Sequence, residues 1–310
     1  MEKNEITEDI FLLDQPTLMS HNRKKEDYLI IEAITGTNKF NENTTIRFKA
    51  VDPENYLYLP GSFLRCNFKL QKPNGDNLDT EITLENNWFP SLFESVIFRI
   101  GSNEVEHITH PGECDSMIKL VSKNGLYKND GWILDRGDGK IVENVASPGA
   151  AYAQAEVKAI SDKLNEMDKQ NEGYLIRKQQ YNINGNQMIE FHLNYLLGYF
   201  DYDKISHNLT FELELRRHTD HEKIFFGADN TNAKIVIDNI QWLIPKITPS
   251  LGIENMITKR LLQNKPIPVV FLKRNMHQTI IESSIYNWPI QTSSSLPRYI
   301  LNLQIGRKII

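Results

Sequence analysis

Apolar and polar residues alternate through Phe63-Leu64-Arg65-Cys66-Asn67-Phe68-Lys69-Leu70, and again through Ser95-Val96-Ile97-Phe98-Arg99-Ile100. A period of two, rich in β-branched and aromatic residues, predicts strands with one buried face. Pro73-Asn74-Gly75-Asp76 supplies turn chemistry between them, and Gly101-Ser102-Asn103 predicts a tight reversal into Glu104-Val105. Upstream, Tyr28–Ile34 and Thr45–Val51 read as two further strands, the first closed by Thr35-Gly36-Thr37-Asn38 and the second by Asp52-Pro53.

The period changes after Val105. His110-Pro111-Gly112 breaks the sheet, and Glu113–Ser122 reads as a helix with Met117, Leu120 and Val121 on one side. Residues 124–151 are rich in Gly, Asp and Pro and read as a loop. In residues 154–171, Val157, Ile160, Leu164 and Met167 share one face of an amphipathic helix. Strands return at Gln180–Ile183 and Met188–Leu196, with Ile189, Phe191 and Leu193 inward. Leu197–Asp203 reads as an exposed corner. In Asn208–Leu215, the residues Leu209, Phe211, Leu213 and Leu215 point inward, and Ala233–Pro245 is another long strand. Ile253–Gln263 is expected to be a connecting helix. Val269–Lys273, Thr279–Ile281 and Arg298–Ile309 begin a new set of strands, of which Tyr299–Ile305 would offer an apolar edge needing a partner or more chain.

About nine strands, a helical insert and a helix leading to three more strands predict an all-β chain. Its fold class is a jelly-roll β-sandwich with a helical insertion, followed by the opening strands of a second jelly roll. The expected boundaries are an arm over 1–26, a first jelly roll over 27–249 with its insert at about 107–179, a connecting helix over 250–265, and an incomplete second jelly roll over 266–310.

Composition narrows the function. The chain has 310 residues, 40% hydrophobic and 24% charged, as in soluble globular proteins. Thirty-five Lys and Arg against 40 Asp and Glu leave a net charge of -5, which disfavours non-specific nucleic-acid binding. Two cysteines, Cys66 and Cys114, cannot form a disulfide framework, and Cys66 reads as a small buried hydrophobe. The acidic N-terminus predicts no signal peptide, and no apolar run matches the ~20 residues of a spanning helix. The sequons at Asn43 and Asn208 therefore read as coincidental.

The run DPENYLYLPGSFLRCNFKLQKPNGDNLD, followed by PSLFESVIFRIGSNEVE, resembles the first barrel of double jelly-roll major capsid proteins, those of Polinton-like and adintovirus-type double-stranded DNA viruses. Leu209–Arg217 with Lys234–Pro249 resembles that family's closing strands of the first barrel. Pro266–Phe271 with Ser295-Leu296-Pro297-Arg298 resembles the opening of the second. The resemblance implies a non-enzymatic capsid subunit of the virion, a hexon-like homotrimer tiling an icosahedral shell. Its implied partners are neighbouring capsomers and penton or minor capsid proteins, without sequence-specific nucleic-acid binding, cofactor or membrane span. Members of that family continue well past the opening strands of the second barrel. A glycan- or protein-binding sandwich acting through the 110–180 insert is the alternative.

Candidate chemistry is sparse. His107, His110 and Cys114 form the densest soft-ligand group, but a structural zinc site needs a fourth ligand and none lies nearby in sequence. His218 and His221 flank Asp220 on a turn, and His192 occupies an outward phase. There is no nucleophile elbow and no phosphate-binding glycine loop. Asp201 and Asp203 are the one carboxylate pair suited to a sandwich glycosidase. Arg136-Gly137-Asp138 resembles an integrin-binding tripeptide, making it the candidate surface adhesion loop, although a simple turn accounts for Gly-Asp-Gly equally well.

Overall fold

The computed structural model describes residues 23–34, 40–78, 82–122, 132, 172–181, 185–219, 221, 224–226, 233–264, 266–279 and 300. Among the described residues eight long strands carry the fold: β1 Arg23–Glu32, β2 Thr45–Ala50, β4 Phe63–Gln71, β6 Phe93–Ile100, β7 Asn103–Thr109, β8 Gln187–His192, β10 Phe211–Arg217 and β12 Lys234–Pro249. Shorter pieces are β3 Tyr56–Leu57, β5 Thr83–Leu84, β9 Ser206–His207 and β11 Phe225–Phe226.

Taken in order as first to eighth, the long strands pair first with eighth, second with seventh, third with sixth and fourth with fifth, all antiparallel. The chain is thus one long hairpin ribbon. It is rolled so that alternate rungs fall in opposite sheets, and the contacts third-to-eighth and fourth-to-seventh join the rungs within each sheet. One sheet runs β8-β4-β12-β3-β9 with β1 also on β12, and the other runs β2-β10-β6-β7. This is a jelly-roll sandwich.

The inward residues explain why the two sheets close. Ile46 and Phe48 of β2, Val96 and Phe98 of β6, and Phe211, Leu213 and Leu215 of β10 are buried, facing Leu64, Cys66 and Phe68 of β4 and Trp242 of β12. The Phe48 and Trp242 rings meet edge-on across the gap at 6.4 Å. The outer face of the second sheet is polar, with Glu214 bridging Arg47 and Arg99 at 3.2 Å each. In β12 the register slips between Ile237 and Asn239. That bulge moves the buried phase from Ile235 and Ile237 to Ile240, Trp242 and Ile244, so one long strand keeps an apolar inner face throughout.

Several expectations are corrected. β1 begins at Arg23, because pairing with β12 carries the charged Arg23–Asp27 stretch along the sheet edge. Between the two alternating runs, Trp88–Ser91 is a short helix that the sequence reading did not place, and Trp88, Phe89 and Pro90 are all buried. In the helix Pro111–Ser122, Leu120 and Val121 are exposed while Cys114, Asp115 and Lys119 face inward. Glu172–Tyr181 is helical, which replaces the start of the strand expected at Gln180–Ile183. Leu209 is 40% exposed, before β10 begins. The Leu197–Asp203 corner is a 3-10 helix, Gly198–Asp201, whose Tyr199 and Phe200 are buried. Residues 266–279 are extended but join no sheet. The 1–22 part of the arm, the expected helix at 154–171, Arg136-Gly137-Asp138, and residues 280–310 apart from Ile300 lie outside the described residues.

Candidate functional site: a strap seated on the sandwich

After β12 the chain forms the helix Leu251–Leu262, of which no residue is buried. It then runs as an extended strap, 266–279, over the end of the sandwich. Contacts from Pro268, Phe271, Leu272 and Arg274 seat it. The Tyr202 hydroxyl donates to the Pro268 carbonyl at 3.3 Å, and the Phe271 ring packs edge-on to Tyr199 at 5.3 Å. The Leu272 carbonyl lies against Gly198 so closely that a Cβ there would overlap it. Arg274 donates from its guanidinium to the Asn194 carbonyl at 3.0 Å and to Asp201 at 3.2 Å.

Beneath the strap sits Glu106, fully buried on the inward phase of β7. Its carboxylate accepts the backbone N–H groups of Gly198 at 3.0 Å and Tyr199 at 2.7 Å, the two leading residues of the 3-10 helix. It also accepts the Arg274 N–H at 3.3 Å. A helix start exposes unpaired N–H donors, and a carboxylate is the group that satisfies several at once. Burial pushes the Glu106 carboxyl above its usual range, opposed by these three N–H donors and by the nearby Arg274 charge. One side chain therefore ties together β7, the 3-10 turn and the strap.

A second buried polar group lies on the helix Pro111–Ser122. Lys119 Nζ is 2.7 Å from Asp115 Oδ2 and donates to Asn87 Oδ1 at 2.9 Å. All three side chains are buried, and the Lys119 ammonium faces the rings of Phe191 and Tyr195 at 5.0 Å and Trp132 at 5.5 Å.

The residues singled out by sequence fall elsewhere. His107 is on the outer face of β7, 3.8 Å from Glu104. The His110 carbonyl accepts the Cys114 N–H at 3.2 Å, which starts the helix, and burial pushes the Cys114 thiol up to about 12. Among the described residues no group of three or more His, Cys, Asp and Glu is placed to hold a metal ion. Cys66 is fully buried, and burial pushes its thiol up to about 12 as well. His221 lies 3.0 Å from Glu42, and the His218 N–H donates to the Leu92 carbonyl. His192, expected in solvent, is half-buried between the rings of Phe63 and Tyr195. Asp201 is bonded to Arg274, and Asp203 accepts the Tyr58 hydroxyl at 2.7 Å, so the pair is engaged in holding the fold. Glu106 was legible in principle, since Ile108 two residues on is an inward residue. Nothing local announced Arg274, or Asn87 thirty-two residues before Lys119.

A family model, the double jelly roll-like domain, matches residues 154–310, half of the chain, from within the insert through β8–β12, the exposed helix and the strap. The chain belongs to this family. No curated protein sequence matches it. Among solved structures it is similar to the Sputnik virophage seen by cryo-EM, at 13% identity and a TM-score of 0.47, covering 82% of this chain and 51% of that one. It is also similar to the mavirus major capsid protein, at 14% identity and 0.41, covering 78% and 52%. A third match is the Faustovirus major capsid protein, at 10% and 0.38, covering 84% and 60%. The chain thus spans roughly half to three-fifths of the length of these structures. Among the described residues no helix is long and apolar enough to cross a membrane.

Proposed function

We propose that this protein is a major capsid protein subunit of a double-stranded DNA virus, located in the virion and without enzymatic activity. The observation that carries the reading is the double jelly roll-like match, which runs through the last strands of a jelly-roll sandwich into the exposed helix and strap. In this reading the first jelly roll, expected from 27, runs over 23–249 with β1 included, 250–265 is the connecting helix, and 266–310 is the start of the second. The subunit assembles as a hexon-like trimer, six sandwiches forming a pseudo-hexagonal tile that neighbouring capsomers and penton or minor capsid proteins complete. Repeated symmetric contacts between rigid sandwiches are a direct way to close such a shell. The apolar side chains left outside the sandwich supply contact surface: Leu251, Leu262 and Val270 are 73%, 76% and 80% exposed.

The test is the oligomeric state of the product of the whole open reading frame, by native mass spectrometry and sedimentation. Trimers are expected. A product that stays monomeric at high concentration would overturn the proposal.

A further inference from the structure

Asn87, Asp115 and Lys119 are fully or almost fully buried, and the Lys119 amine meets both of the others. Asn87 precedes the helix Trp88–Ser91 in a left-handed conformation, and its side chain caps nothing in that helix. It turns instead to the helix Pro111–Ser122. The Nδ2 donates to Ser116 Oγ at 3.0 Å and to the Gly112 carbonyl at 3.4 Å, while Oδ1 accepts from Lys119 Nζ at 2.9 Å. Asp115 Oδ2 lies 2.7 Å from Lys119 Nζ, so the amine stands between the carboxylate and the Asn87 amide. The amide carbon is one bond from Oδ1, so the 2.9 Å hydrogen bond keeps Nζ beside an electrophile. Attack needs Nζ to shift from Oδ1 onto the face of the held amide.

We propose that Lys119 and Asn87 become joined by an isopeptide bond that the folded chain forms by itself, with Asp115 as the proton shuttle. The Lys119 ammonium passes one proton to the Asp115 carboxylate, leaving a neutral amine. The amine lone pair attacks Asn87 Cγ and the new N–C bond forms. Asp115 gives its proton to Nδ2 and takes one from the attacking nitrogen. The Cγ–Nδ2 bond then breaks and ammonia leaves. One N–H remains on the new amide, Asp115 ends protonated, and no oxidant or cofactor is needed.

Three features favour the step. Burial holds the Asp115 carboxyl above its ordinary range, with the Lys119 charge and hydrogen bonds opposing, so proton transfer within the pair removes two charges from a dry site. Ser116 Oγ and the Gly112 carbonyl fix the amide, so its orientation is set before reaction. Phe191, Tyr195 and Trp132 exclude water from the amine. Their faces also stabilise the ammonium, which makes the adjacent carboxylate the group on which deprotonation depends. The bond would bracket the β6–β7 hairpin, closing a loop of covalent chain around it and restricting the unfolded state.

The experiment is intact mass spectrometry of the purified full chain, followed by a proteolytic map. The expected mass is lower than that of the sequence by one ammonia, with a branched peptide carrying Asn87 on one arm and Lys119 on the other. An unmodified mass would overturn the proposal. So would ammonia loss without a branched peptide, since a succinimide at an Asn-Gly step has the same mass. Asp115→Asn, checked for retained β-structure by circular dichroism, is expected to lower the branched fraction at least tenfold. An undiminished fraction would remove Asp115 from the mechanism. If that variant does not fold, the mass of the unaltered chain still decides whether the bond exists.

Discussion

The sandwich and the segment that follows it treat apolar side chains in opposite ways. Within the sandwich, Phe48, Phe98, Phe211 and Trp242 are at most 1% exposed, each held by residues from strands distant in sequence. In the helix Leu251–Leu262 and the strap, Leu251, Leu262 and Val270 stand in the open. The sandwich is specified by shape, through many interchangeable apolar contacts. The strap is held by a few contacts, with Phe271 packed on Tyr199 and Arg274 donating to Glu106, Asn194 and Asp201. A closed core tolerates small losses everywhere and large ones nowhere. A pinned strap has single points of release.

The contrast can be broken from either side. The largest effect is expected from Trp242→Ala, which empties a site facing Phe48 and Phe200, with a loss of about 3–5 kcal/mol in urea unfolding. Next comes Glu106→Ala, which strands the buried N–H groups of Gly198 and Tyr199 at about 1–3 kcal/mol each. Its signature differs from that of the core variant. Limited proteolysis should cut within 266–279 while most of the sandwich stays resistant, and Gly198→Ala should give the same pattern by displacing the Leu272 carbonyl.

A smaller effect follows acidification. Burial raises the Glu42 carboxyl, but hydrogen bonds from His221, its own backbone and Lys234 outweigh it and bring the group from 4.5 down to about 2. A depressed carboxyl adds stability that is present above 4.5 and is lost as pH falls toward 2. Thermal melts across that window should therefore decline, and Glu42→Gln should flatten the decline. The smallest effect on folding is expected at the exposed residues. Leu262→Ser and Val270→Ser should change unfolding by no more than about 0.5 kcal/mol. In the product of the whole reading frame they should weaken association, as seen by sedimentation.

Where burial follows strict alternation, the sequence is enough to place the strands. β2, β4, β6 and β10 stand where Phe48, Cys66, Phe98 and Leu213 put them. Reading failed where burial is decided by something far away in the chain. Leu197–Phe200 looks like a surface turn, yet Phe98 and Trp242 of the two sheets pack against it and residues seventy positions later cover it. The helix Pro111–Ser122 carries Leu120 and Val121 on its obvious apolar side, but the inward face is the one that lets Lys119 reach Asn87 and Asp115. An Asp and a Lys four apart on a helix ordinarily mark a solvated face. The Phe191 and Tyr195 rings that enclose this pair come from a strand and turn after the insert, so no local signal marked it as buried.

The most direct measurement is cryo-electron microscopy of the product of the whole reading frame. The capsid account predicts three-fold particles in which six sandwiches form a pseudo-hexagonal outline, with the strap of 266–279 leading from one sandwich into the next. Single particles with one sandwich per chain and no symmetry would contradict it.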